Sequence, residues 1–309
     1  MKRSEAKDNQ WLVVADYADQ CGEGPLWDST TSTLYWFDIT GRRAYRYDWA
    51  RGQSSTMAED FDIAGLALHE SGGFVLVNGG GIWLWDGRAA PTSIARELDG
   101  LPLAMNDCIA DPRGRLLSGT CHFDPEKPDY PLGKLIRVDT DGTVSVLDDG
   151  FHLANGLAFS PDSKTFYFAD SAARKIFAYD YNVEEGTAGN RRTLIEVPRE
   201  QGLPDGITVD SEGFIWFARW FGAGLTRLDP DGHLHSHVEV PAKQTSSLAF
   251  GGPDLTSIFV TSAALSDSVA LAPPGYDPDA GNIGGQLFRW DSDIQGKEEF
   301  RCRIAVPAG

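Results

Sequence analysis

The chain of 309 residues reads as an all-β protein, a six-bladed β-propeller with four antiparallel strands per blade and a ring closed by an N-terminal strand. Three observations predict this. A short phrase recurs six times, beginning at Glu23 (EGPLWD), Ala64 (AGLALH), Asn106 (NDCIAD), Asn155 (NGLAFS), Asp205 (DGITVD) and Ser246 (SSLAFG). The copies stand roughly 40–50 residues apart, the period of propeller blades. Each copy is followed by short runs of β-branched and aromatic residues broken by Pro, Asp, Gly and Ser, which is the chemistry of strands and turns.

The elements follow in order. Residues 10–17 (QWLVVADY) form a lone strand ahead of the first copy and are expected to pair into the sixth blade, removing an exposed edge. Blade one continues STLYWFDI and RRAYRYDW; blade two, GFVLVNG and GIWLWDG; blade three, GRLLSGT, GKLIRVD and GTVSVLD. Blade four is the clearest, with NGLAFS, TFYFADS, RKIFAYDYN and RRTLIEV. Blade five runs GFIWFAR, GLTRLDP and GHLHSHVEV, and blade six TSIFVTS and GQLFRWD. Two inserts, 121–132 and 264–283, join second to third strands and are too long for hairpin loops. Both belong at the face where the first strands begin, and both are expected to wall a pocket there. One domain over 1–309 accounts for the whole pattern.

Composition limits the function. Lys plus Arg is 27 against Asp plus Glu 45, a net charge of −18. That argues against a nucleic-acid partner and against an anionic membrane surface. No apolar run reaches the length of a membrane-spanning helix, and MKRSEAKDNQ has no apolar segment behind its charges. Cys21, Cys108, Cys121 and Cys302 lack zinc-site spacing and are too few to staple a chain of this size, so a cytoplasmic, reduced protein is expected, with the cysteines as packing thiols. Oligomeric state is left open.

In a propeller, equivalent positions converge on one axis. Glu23, Asn155 and Asp205, heading blades one, four and five, would then present oxygen donors to a common channel, the ligand set of a hard divalent cation. Few protein ligands leave coordination open for water and substrate, as a catalytic metal requires. The alternative is that Asn155-Gly156 and Asp205-Gly206 merely turn the chain; it does not account for Glu23 in the same register. Asn106 can exchange hydrogen bonds with substrate. Asp107 is expected to point off-axis. His233, His235 and His237 alternate and would share one face, but in a blade's outer strand, far from the axis. His122 and His152 lie near the rim, and His69 occupies a structural turn position in register with Asp28, Asp111 and Asp210. The chain has no G-x-S-x-G elbow, P-loop or dinucleotide fingerprint.

CGEGPLWD, NDCIADPRGRLLSGT, LANGLAFSPDSKTFYFADS, PDGITVDSEGFIWFA and SSLAFGGPDLTSIFVTSA, in this order, resemble the gluconolactonase/regucalcin (senescence marker protein) family over about residues 21–262. The resemblance implies a six-bladed propeller with one divalent cation in its channel, hydrolysing lactones, mostly of sugar acids. By position it implies metal ligands at Glu23, Asn155 and Asp205, a substrate-binding asparagine at Asn106, and Asp205 as acid/base. Ca²⁺ is the first expectation for the cation, with Mg²⁺, Mn²⁺, Zn²⁺ and Fe²⁺ open. Many sugar lactonases of the family carry Arg where this chain has Ala104, so the pocket is expected to be less adapted to polyhydroxylated lactones unless His122 or Arg219, both expected near substrate, supplies the missing cation. Two alternatives stand beside the sugar-lactone reading: hydrolysis of another ester, such as an aryl lactone or phosphotriester, and a non-catalytic cation-binding propeller.

Overall fold

The computed structural model describes residues 10–124, 129–265 and 269–305. Six four-stranded antiparallel sheets follow one another along the chain. Their first strands are Gly22–Asp28, Gly65–Leu68, Met105–Ala110, Ala154–Phe159, Leu203–Val209 and Thr245–Gly251. A two-stranded hairpin, Glu97–Leu98 with Leu101–Pro102, is added between blades two and three. The N-terminal strand Leu12–Asp16 pairs antiparallel with Gln286–Asp291 and becomes the outermost strand of blade six, as its sequence predicts.

Burial runs from the axis outward. Leu203–Val209 and Thr245–Gly251 are buried at every residue, whereas the outer strand Thr187–Glu196 is mostly exposed. An inner strand covered on both faces has no reason to alternate, which is why these segments read as continuous apolar or small residues. The core lies between blades. Ala158, Tyr167 and Ile176 of blade four pack with Ile207, Ile215 and Phe217 of blade five, and Trp27 and Trp36 of blade one with Phe259 and Leu287 of blade six.

Two dipeptides predicted as possible turns are not turns. Gly156 and Gly206 lie inside first strands, and neither adopts a positive φ. Their missing side chains let neighbouring inner strands touch. A Cβ on Gly156 would overlap the carbonyl oxygen of Asp205 and sit 2.6 Å from the Ile207 nitrogen. One on Gly206 would lie 2.7 Å from the Cα of Ser247.

A feature the sequence reading did not assign closes the far end of the propeller. Residues 294–305 cross the turns that follow the first strands. Ser211 N donates to Gln295 O at 2.9 Å, Arg301 pairs with Asp28, Cys302 bridges His69, and Arg303 N donates to Gly114 O at 2.8 Å. Glu299 and Phe300 line the axial channel from below. The turns themselves are held by buried carboxylates. Asp210 accepts from Trp216 Nε1 at 2.9 Å and from Arg227 Nε at 2.9 Å; Asp111 accepts from Arg115 Nε at 2.5 Å and from Tyr181 OH at 2.6 Å. His69 is structural, as expected, with Nε2 3.1 Å from Ile304 O.

Gly156→Ala forces two backbones apart, and overpacking of this kind costs about 1–3 kcal/mol. The expected outcome is a lower urea midpoint with an unchanged m-value, measured by tryptophan fluorescence.

Candidate active site

Five of the six blade heads line one axial cavity of about 120 Å³. Its polar wall is Glu23, Asn106, Asp107, Asn155, Asp205 and Ser171; Ala64 is the fifth head, and Leu153, Leu203 and Trp220 complete much of the apolar side. The sixth head, Ser246, is not at the cavity. It is fully buried, and its hydroxyl is used on Gly22 O and Thr261 Oγ1.

The backbone at these heads is irregular for a reason. Pairing between first and second strands shifts register between Glu23 and Leu26, Met105 and Cys108, Asn155 and Leu157, Pro204 and Ile207, and Thr245 and Leu248. A bulge re-aims the side chains at a strand end. Blade two, whose head is Ala64, pairs without a shift. Asp107 therefore does not point off-axis. The shift between Met105 and Cys108 brings Asn106 and Asp107 to the cavity together.

Hydrogen bonds then fix what each group can do. Asn106 Nδ2 donates to Ala154 O at 2.8 Å, so its carbonyl oxygen is the atom left to accept from a ligand. Asp107 Oδ1 accepts from Cys108 N at 2.7 Å, and Glu23 Oε2 from Gly24 N at 3.1 Å. Asp205 is 4% exposed, and its Oδ1 has no hydrogen-bond partner among the described residues.

Three carboxylates share this small space, and their protonation is displaced accordingly. Burial raises Asp107 from 3.8 to about 7. Burial, and then the charge of Asp107, raise Glu23. Burial, then Glu23 and Asp107, push Asp205 well above the usual carboxylate range. Clustered buried carboxylates without a counter-charge are unfavourable. The donor set, all oxygen, with one buried carboxylate oxygen unsatisfied, fits a hard divalent cation.

The remaining expected site residues fall elsewhere. Arg219 occupies the second strand Ile215–Trp220, where successive side chains face opposite ways, and it is Trp220 that lines the cavity. Arg219 Nη2 donates to Gly222 O at 2.7 Å and lies 2.6 Å from His237 Nε2. His122 and Ala104 line a separate, largely apolar cavity of about 290 Å³ with Leu101, Leu103 and Leu132. The insert 121–132, of which 125–128 lie outside the described residues, thus walls that neighbouring cavity. The second insert acts behind the site: Leu271, Ala272 and Tyr276 pack on Leu203, Trp220 and Phe221.

The three-histidine strand dissolves into separate contacts. His233 precedes the strand Leu234–Glu239 and meets Asp229, His235 meets Ser236, and His237 meets Arg219. The four cysteines form no disulfide. Cys21 lines the cavity, and no described helix is long and apolar enough to cross a membrane. Ser171, Leu153 and Trp220 are cavity residues that the sequence reading missed; their only signal was the position each holds in its blade, next to a head or at the end of a second strand.

Fold and cavity together define a six-bladed propeller with an acid-lined axial site for a small molecule. The chain belongs to the SMP-30/gluconolactonase/LRE-like family, whose model matches residues 21–264. It is 39% identical over 295 residues to the pentonolactonase XacC of Haloferax volcanii, covering 95% of this chain and 98% of that one. It is 35% identical to regucalcin of Xenopus laevis, over 78% of this chain and 83% of the relative. Among solved structures, a luciferin-regenerating enzyme superposes with a TM-score of 0.83 at 30% identity, over 96% of this chain and all of that one. The calcium-binding protein regucalcin of Agrobacterium tumefaciens gives 0.82 at 29% identity, over 96% and 98% of the two chains.

The raised carboxyl groups predict a pH dependence. A folded-state pKa above the unfolded one means the folded protein binds protons more tightly. That contribution is full below about 4 and is lost as pH rises through the folded values, about 7 for Asp107 and about 8 for Glu23. Chelated protein should therefore lose stability between about pH 4 and 8, and Asp107→Asn should lose less between about pH 4 and 7. Thermal unfolding across pH, with and without divalent cation, checks both. The cation should restore more stability at high pH than at low.

Proposed function

We propose that this lactonase opens a sugar-acid lactone, holding one divalent cation at Glu23, Asn155 and Asp205 and using Asp205 as acid/base. The observation that carries the reading is the convergence of Glu23, Asn155 and Asp205 on one cavity, with Asp205 Oδ1 buried and unpartnered. A cation held there by Glu23, Asn155 and Asp205 would supply Lewis acidity to the lactone carbonyl and charge stabilisation to the developing oxyanion. Calcium is the first candidate, since hard oxygen donors favour it.

The chain's own residues supply the rest. Asp205 takes a proton from the attacking water as its oxygen bonds to the carbonyl carbon. It returns that proton to the ring oxygen as the carbon–oxygen bond breaks, leaving a hydroxy acid. Asn106 offers an acceptor oxygen, and Asp107 a second acceptor when ionised, so this side of the cavity suits a substrate rich in hydroxyl donors. That supports a polyhydroxylated lactone even though neither His122 nor Arg219 lines this cavity. The pentonolactonase relative directs attention to five-carbon sugar lactones. Trp220, Leu203 and Leu153 give the cavity an apolar side against which a ring can lie.

The test is a proton-release assay on aldonolactones, a plain aliphatic lactone, an aryl lactone and a phosphotriester, with and without chelator. Aldonolactones are expected to be preferred, and chelation to abolish turnover. Asp205→Asn should lower kcat by about 10²–10⁴-fold, the usual contribution of a positioned acid/base. Asn106→Ala should chiefly raise KM, by roughly two- to tenfold, the worth of one hydrogen bond. Preference for the aryl lactone or the phosphotriester rejects the sugar reading. Cation binding with no turnover of any substrate rejects catalysis.

A further inference from the structure

We propose that the turn Asp170–Arg174 in blade four is a positioning element that sets Asn155 and Asp205 relative to one another, and thereby the site's affinity for its cation. The proposal rests on the cation reading above and names residues outside that ligand set.

The turn grips both flanking strands just before their heads. Asp170, 1% exposed, ends the second strand Thr165–Asp170. Its Oδ2 accepts from His152 N at 2.8 Å, and its Oδ1 from Leu153 N at 3.0 Å and Ala173 N at 3.1 Å. His152 and Leu153 lead directly into the strand Ala154–Phe159, which carries Asn155. The next residue reaches the other way. Ser171 Oγ, buried, donates to Pro204 O at 2.6 Å, one residue before Asp205. Arg174 Nη1 donates to Gly202 O at 2.7 Å, and Nη2 to Leu271 O at 2.5 Å. One turn thus holds the approach to Asn155, the approach to Asp205 and the insert packed behind them.

Blade one repeats the device with an informative difference. Asp38 accepts from Gln20 N and Cys21 N at 2.9 Å and from Gly41 N at 2.8 Å, which fixes the approach to Glu23. Arg42 reaches Asp60 O at 3.1 Å in the chain leading to blade two, matching the reach of Arg174. The position equivalent to Ser171 is Ile39, which cannot donate, and the head it faces is Ala64, which has no ligand atom. The hydroxyl stands before Asp205 and an apolar side chain before Ala64, while the equivalent positions before Glu23 and Asn155 are Ala263 and Cys121, so the hydroxyl clamp is particular to the approach to Asp205. Both Ser171 and Ile39 line the axial cavity, so each is placed to act on the head beside it.

The experiment measures calcium and, in parallel, manganese binding to the folded protein by calorimetry, together with kcat, KM and thermal unfolding. Ser171→Ala and Asp170→Asn are expected to weaken cation binding by about tenfold or more, as loss of the groups that orient metal ligands does. Ser171→Thr, which keeps the hydroxyl, should restore it. Arg227→Lys, at the far end of blade five, should lower the unfolding temperature and leave cation affinity unchanged. If Glu23→Gln loses the cation while Ser171→Ala and Asp170→Asn bind as tightly as wild type, the positioning role is overturned and the ligand assignment stands. If Glu23→Gln itself binds like wild type, the ligand assignment falls and the proposal with it. Ser171→Ala removes one oxygen atom and carries the test should Asp170→Asn not fold.

Discussion

In blades four to six the inner strands approach one another closely at glycines, where a side chain on the glycine would have no room. Gly156 lies against the backbone of Asp205, and Gly206 against Ser247. This close approach makes the site possible, because it brings the heads of blades four and five to one small cavity. It also explains why the heads are bulged. A regular strand end would direct alternate residues to opposite faces, whereas the register shift in blade three brings the successive residues Asn106 and Asp107 to the cavity together. Blade two pairs regularly and offers the cavity only the methyl group of Ala64, whereas blade six is bulged and its head Ser246 is spent on Gly22 O and Thr261 Oγ1 instead.

Convergence creates an electrostatic problem inside the cavity. Glu23, Asp107 and Asp205 sit in a space too small and too poorly solvated for three charges, and all three have raised pKa values. Two outcomes relieve this: protonation, or a cation. Under the proposed function the same carboxylates would hold a cation at neutral pH and store protons without one, coupling stability, metal binding and pH in a single cavity.

Rigidity comes from the two ends. At the cavity end, carboxylates that finish second strands, Asp38 and Asp170, collect the backbone N–H groups leading to Glu23 and Asn155. At the opposite end, Asp111 and Asp210 collect Arg115 and Arg227, and residues 294–305 run beneath the turns, placing Phe300 under the channel. A strap joining several blades adds to the closure that the N-terminal strand provides in blade six.

The repeat, the blade count, the N-terminal closing strand and the register of Glu23, Asn106, Asn155 and Asp205 were all legible in the sequence, because blade geometry is local and recurs. What sequence could not decide depended on contacts between blades. Whether Asp107 faces the axis is set by a bulge against the second strand of its own blade, and whether Gly156 turns the chain or clears space is set by the strand of the next blade. Arg219 shows the same limit. It shares its segment with Trp220, and only the pairing register reveals that the indole faces the cavity and the guanidinium faces away. Ser171 and the strap at 294–305 carried no motif at all, since their partners, Pro204 on the next blade and the turns beneath blades one, two, three and five, become neighbours only when the ring has closed.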